Sequence, residues 1–290
     1  MKRPLPPQFY NPLLATREKQ LRTSVFPWEI EILLREIIIN CTEIGGKKFK
    51  DWNSISRPIN LIKNIGNLAF ANHNSQKDDV LFEIIRIAHR QFPWQIGINR
   101  HDLSKYFELY NNKYLYRRIY DIFGIEVREL FQLTLSLAGH FVNEPILTYP
   151  IENQLNSVND GVFIDLIKKF SISFDTLKKK TIENQRYDVN WAYTSNPLRH
   201  HPIIDFDGKI LICPIVDFLI RRVSSGIYYD LLDVPNVAGR FLGPAVQEII
   251  GKIARSEIKG MRMLAERDYR GKKNRKDTID WIISDESAHI

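Results

Sequence analysis

Apolar positions recur at helical spacing through most of the first 185 residues. Trp28, Ile32, Leu33, Ile37 and Ile38 form one such stripe. Val80, Leu81, Ile84, Ile85 and Ala88 form a second, and Leu130, Leu133, Leu135 and Leu137 lie in a third, from Val127 to Val142. The stretches 102–111 and 114–123 are further helical candidates, as are 158–170 and 174–183, the last starting from a Ser173 cap. Gly124, Pro145 and Pro150 punctuate the series. No fixed-period repeat is present, so a solenoid is unsupported.

Near Arg186 the pattern changes. Two β-rich runs, 201–206 and 209–213, flank Asp207-Gly208. Both turn residues tolerate positive φ, so the spacing predicts a hairpin with a type I′ turn. A short helix is expected over 215–223, ended by Ser224-Ser225-Gly226, with 230–236 as a linker. A last unit begins near Val237. It predicts an amphipathic helix over 241–254, a strand over 261–269, a basic turn over 271–274 and a second strand over 278–283. The expected fold is a mainly α N-terminal part followed by α+β. The expected domains are a helical domain (1–185), a connecting module (186–236) and a C-terminal α-β-β unit (237–290).

Composition narrows the class. The chain has 290 residues, a length that suggests about two domains. With 44% apolar and 26% charged residues it is neither disordered nor collagenous. Cys41 and Cys213 are too few for a disulfide scaffold and suit a reducing, cytoplasmic compartment. The longest apolar run, 210–216, contains Pro214 and stops at Asp217, far short of the ~20 residues a membrane helix needs. The opening MKRPLPPQFYNP lacks the apolar region of a signal peptide.

Charge is the more informative count. The formal net charge is +7. Residues 252–276 hold ten Lys or Arg against Glu257, Glu266 and Asp268, so this segment carries the whole excess. A local basic patch is the footprint of a phosphate-binding surface. The cations expected to touch nucleic acid are Lys259, Arg262, Arg267, Arg270, Lys272, Lys273, Arg275 and Lys276.

Several catalytic patterns are missing: a Gly-rich phosphate loop, paired zinc cysteines, His-Glu-x-x-His and Gly-x-Ser-x-Gly. His200 and His201 are adjacent and would face opposite sides of a strand, so a shared metal is not expected. His140 reads as a hydrogen-bonded core residue. Tyr106, Tyr110, Tyr114, Tyr116 and Tyr120 cluster, with helix packing as their expected use and base stacking as the alternative.

Two acids remain. Glu248 lies beside the apolar stripe of the last helix, and Asp280 lies in Ile279-Asp280-Trp281-Ile282-Ile283, just after the basic turn. A carboxylate in an apolar strand needs a partner. Either a Lys or Arg, or a divalent cation, would serve. Oxygen ligands suit Mg²⁺, for which Mn²⁺ can substitute, and such a cation beside phosphate-holding lysines is what phosphodiester hydrolysis needs.

A helix with an acid, a strand, a basic hairpin and a strand reading Asp-Trp-Ile-Ile resembles the start of a PD-(D/E)XK, restriction-endonuclease-like domain, over about 237–290. The resemblance implies that Glu248 is the helix acid and Asp280 the metal-binding aspartate, with Asp277 a second candidate. It implies Mg²⁺ as cofactor and DNA as partner, with RNA the alternative and a second copy of the chain a further one. The family's next strand carries Glu-x-Lys, and Ile290 stands about where that strand would begin, so a polypeptide ending there is expected to be inactive. By analogy, the function is a metal-dependent DNA endonuclease acting in bacterial defence. The competing expectations are a non-catalytic nucleic-acid-binding or regulatory protein, and a helical interaction protein.

Overall fold

The computed structural model describes residues 25–41, 52–73, 84–85, 88, 94, 99–148, 160–187, 191–235, 237–258, 262–265, 268–270, 275–277 and 281–284. The second predicted stripe, at 80–88, falls largely outside them. The helices are α1 (Pro27–Asn40), α2 (Trp52–His73), α3 (Arg100–Tyr110), α4 (Tyr116–Phe123), α5 (Val127–Asn143), α6 (Asp160–Phe170), α7 (Phe174–Asn184), α8 (Val216–Val223), α9 (Ser225–Leu232) and α10 (Gly243–Glu257). The strands are β1 (Ile146–Thr148), β2 (Ser171–Ser173), β3 (Ile203–Phe206), β4 (Ile210–Ile212), β5 (Arg262–Ala265), β6 (Asp268–Arg270), β7 (Arg275–Asp277) and β8 (Trp281–Ser284). The chain is thus mainly α, with a small mixed sheet. No helix among the described residues is long and apolar enough to cross a membrane.

Two compact units interleave along the sequence. One comprises Met1–Asn99, Ala138–Glu152 and Ile167–Ile220, and the other Arg100–Leu137, Asn153–Leu166 and Arg221–Ile290. In the first unit, Pro27 opens α1, where its missing N–H costs nothing. Ser173 starts α7 as expected, its hydroxyl accepting from the Thr176 N–H at 3.4 Å. The Asp207-Gly208 turn is also as expected, with φ of +56° and +66°. It joins β3 and β4 as an antiparallel pair. The sheet runs β1-β4-β3-β2, with β2 parallel to β3. Two of its strands therefore come from the stretch expected to be purely helical. Its core includes Ile38, Ile172, Leu177, Leu198, Ile204 and Phe218.

A buried arginine anchors the same unit. Arg35 on α1 is only 3% exposed. It donates to the carbonyls of Trp191 at 2.5 Å and Thr194 at 3.1 Å. Its neighbour Glu36 accepts from Trp191 Nε1 and Gln185 Nε2. Burial lowers the Arg35 pKa while Glu36 and Glu31 oppose that shift. Arg35→Ala would leave two carbonyls without their charged donor. We expect a loss of about 3 kcal/mol in urea unfolding, from two hydrogen bonds to a charged group. A loss below about 1 kcal/mol would mean that the 191–194 turn is held by packing instead.

The second unit holds α3, α4, α9 and α10, with Leu115, Ile119, Leu231 and Ala245 fully buried. α4 stops at Gly124, whose φ of +74° suits a residue without a Cβ. Tyr110 Oη donates to the Ser224 carbonyl at 2.6 Å. α8 stops at Val223, as expected from Ser224-Ser225-Gly226, but the linker expected over 230–236 is corrected: a further helix, α9, begins at Ser225 and runs to Leu232. Arg222 spans the break, its guanidinium bidentate to Asp230 at 2.5 and 2.9 Å. Gly226 permits the tight passage, because a Cβ there would lie 3.1 Å from the Arg221 carbonyl oxygen.

Candidate nucleic-acid interface

α10 is preceded by a single π-helical turn, Ala238–Leu242, and carries Pro244 in its first turn. Leu242, Ala245 and Ile249 are buried, whereas Val246, Ile250 and Ile253 are exposed. The apolar stripe read from the sequence is therefore half buried and half exposed. Glu248 flanks its buried side, with its side chain 30% exposed.

Glu248 is occupied by lysines. Lys113, from the turn between α3 and α4, brings its ammonium to 3.2 Å, and Lys252, one helical turn on, comes to 3.8 Å. Lys113 holds the Glu248 carboxyl below the usual carboxylate range, with Asn112 and Lys252 adding to the effect and burial opposing it. A carboxyl depressed in this way contributes stability that is present above the ordinary glutamate range. That contribution is lost as pH falls through the depressed value. Lys113 was not among the expected site residues. Its place beside Glu248 is set by the packing of α3 against α10, which no local spacing announces.

Beyond α10 the chain forms an antiparallel arm of two ladders. β5 pairs β8 with Met263 opposite Ile283 and Leu264 opposite Ile282. β6 pairs β7 with Asp268 opposite Asp277, Tyr269 opposite Lys276 and Arg270 opposite Arg275. The predicted hairpin pairing is present, and it includes Arg275, ahead of the expected strand start at Thr278. Two of the three β6–β7 rungs oppose like charges, an arrangement unfavourable for strand pairing on its own.

Of the expected phosphate-binding residues, Arg262, Arg270, Arg275 and Lys276 lie on β5, β6 and β7. Lys259, Arg267, Lys272, Lys273 and Asp280 lie outside the described residues, as does any approach of Asp280 to Glu248. The other candidates are settled by local contacts. His140 is half-buried, its Nε2 3.2 Å from the Ile146 carbonyl oxygen. Cys213 is buried, which pushes its thiol up to about 12 and makes it a poor nucleophile. Of the tyrosines, Tyr110 is buried while Tyr116 and Tyr120 are exposed, so helix packing does not account for the whole cluster.

No group of three or more His, Cys, Asp or Glu among the described residues is arranged to hold a metal ion. Glu248, paired with two cations, does not fit a metal site as it stands. No family model, curated protein or solved structure matches the chain.

Proposed function

We propose that the C-terminal arm binds nucleic-acid phosphates, as part of a metal-dependent DNA endonuclease of the PD-(D/E)XK kind. The observation that carries the binding half is the rung of Arg270 against Arg275 next to that of Tyr269 against Lys276. This rung lies in the segment that holds the entire net charge. Like charges opposed on a ladder weaken the fold locally, and such local conflicts are expected where function requires them. A phosphate between them would relieve the repulsion.

The catalytic half rests on the sequence resemblance, from which we assign Asp280 as metal ligand. Glu248, held by Lys113 and Lys252, does not fit as a cation ligand. The lysines on Glu248 favour a second reading, a binding or regulatory protein without catalysis. DNA binding with charge reversal in the arm tests the first half, and DNA cleavage in Mg²⁺ by the product of the full open reading frame tests the second. Binding that is lost on reversal supports the arm as the interface. Cleavage separates the nuclease from the regulator.

A further inference from the structure

Two arginines meet over one ring in the unit that holds Arg100–Leu137 and Arg221–Ile290. Arg118, on α4, lies 4.8 Å from the centroid of the Phe241 ring, and Arg240 lies 5.4 Å from it. The two guanidinium carbons are therefore no further apart than the sum of these distances, about 10 Å. Arg117 joins them through Asp121. Its Nε is 3.5 Å from one oxygen of that carboxylate, and the Arg118 guanidinium is 3.4 Å from the other. Arg240 and Phe241 both belong to the π-helical turn Ala238–Leu242. Such turns are rare and recur at functional sites.

The charges in this cluster do not cancel. Three guanidiniums share one carboxylate, and Arg240 has no ion-pair partner among the described residues. The Asp121 contacts are longer than the ~2.7–2.9 Å of a strong charged hydrogen bond, so Arg117 and Arg118 keep donors for another acceptor. The Phe241 ring fixes the place of its two cations without using up their N–H forks. All three are open to solvent: the side chains of Arg117 and Arg118 are 70% and 39% exposed, and Arg240 is exposed. An acceptor that fits is a phosphate, whose oxygens match the guanidinium fork.

We propose that Arg118 and Arg240, with Arg117 beside them, hold backbone phosphate of bound nucleic acid. This rests on the reading that the protein binds nucleic acid, and it adds a second contact to the arm. The cluster stands just before α10 and the arm follows it. α10 has 15 residues and is about 22 Å long. Phosphates carry no base information, so this contact positions the ligand without reading sequence.

The test is fluorescence anisotropy over a range of salt with a labelled duplex of about 20 base pairs, roughly 68 Å long and so longer than α10. Each arginine on a phosphate adds about 0.9 to the slope of log K against log salt, beyond the share of the arm. Arg118→Gln with Arg240→Gln should therefore make the slope shallower by about 1.8 and weaken binding about sixtyfold at 0.1 M salt. Arg118→Lys with Arg240→Lys keeps both charges and should retain most of the slope, which also guards against loss of fold. Arg100→Gln with Arg128→Gln removes two exposed arginines outside the cluster and should change the slope by less than about 0.5. An unchanged slope in the Arg118 and Arg240 glutamine pair would overturn the proposal. An equal loss in both glutamine pairs would overturn it too, as an effect of total charge. So would an unchanged slope together with a melting temperature that inorganic phosphate raises only in the wild type, which marks a site for a free anion. Reversing Lys272, Lys273, Arg275 and Lys276 in parallel separates the two readings. If the wild type binds no DNA, both fall. If reversal abolishes binding and the glutamine pair changes nothing, the arm stands and the arginine cluster falls. If reversal leaves affinity unchanged while the glutamine pair lowers it, the arm is not the interface and the cluster stands.

Discussion

Reversing Lys272, Lys273, Arg275 and Lys276 to Glu is expected to lower affinity for duplex DNA by about four orders of magnitude at 0.1 M salt. Each phosphate neutralised on a duplex releases about 0.9 counterion, so it contributes roughly 0.9 decade of affinity for each decade of salt below 1 M. Removing four such cations costs about 3.6 decades, and the new carboxylates add repulsion. The loss should be nearly the same for any sequence, because phosphates carry no base information. Arg275 and Lys276 sit on β7, opposite Arg270 and Tyr269, so their replacement also relieves the like-charge rung. The variant should therefore fold at least as well as the wild type, and circular dichroism would confirm that the loss is not unfolding. A variant that binds DNA as tightly as the wild type would return the basic segment to the status of a solvated surface.

The second large effect concerns Asp280. DNA cleavage in Mg²⁺ by the product of the full open reading frame is expected to fall by about a hundred- to a thousandfold in Asp280→Ala, the scale lost when one preorganised electrostatic contact to a transition state is removed. DNA binding should be retained or tightened, since one negative charge leaves the interface. Glu248→Gln is expected to have a smaller effect, because Lys113 and Lys252 already neutralise that carboxylate. Plasmid relaxation at fixed salt, with chelator as control, measures both. Equal cutting by wild type and Asp280→Ala, or no cutting with any divalent metal, would leave the non-catalytic binding protein as the function.

Sequence reading succeeded where a local rule decides the backbone. Asp207-Gly208 sits between two β-rich runs, and two residues that tolerate positive φ leave little choice but a tight hairpin. Ser173 caps α7 for an equally local reason. The C-terminal arm was legible because apolar runs flank a polar, basic turn. The failures share a different cause. β1 and β2 are three residues each, too short for alternation to register, and β2 exists by pairing in parallel with β3 some thirty residues later. Ser224-Ser225-Gly226 does end α8, but a new helix starts at once at Ser225, and the Arg222–Asp230 pair that accompanies it has no signature in composition. Glu248 was legible as an acid beside an apolar stripe. Its lysine partner from the α3–α4 turn was not, and that partner changes what the acid can do.

The most direct measurement of the central claim is the salt dependence of duplex DNA binding by the unmodified chain. If the eight cations of the arm engage phosphates, log K plotted against log salt should fall with a slope of about −7. That corresponds to an affinity loss of about four orders of magnitude between 50 and 200 mM salt. A slope near zero, or no binding at the lowest salt, would contradict the arm as a nucleic-acid interface.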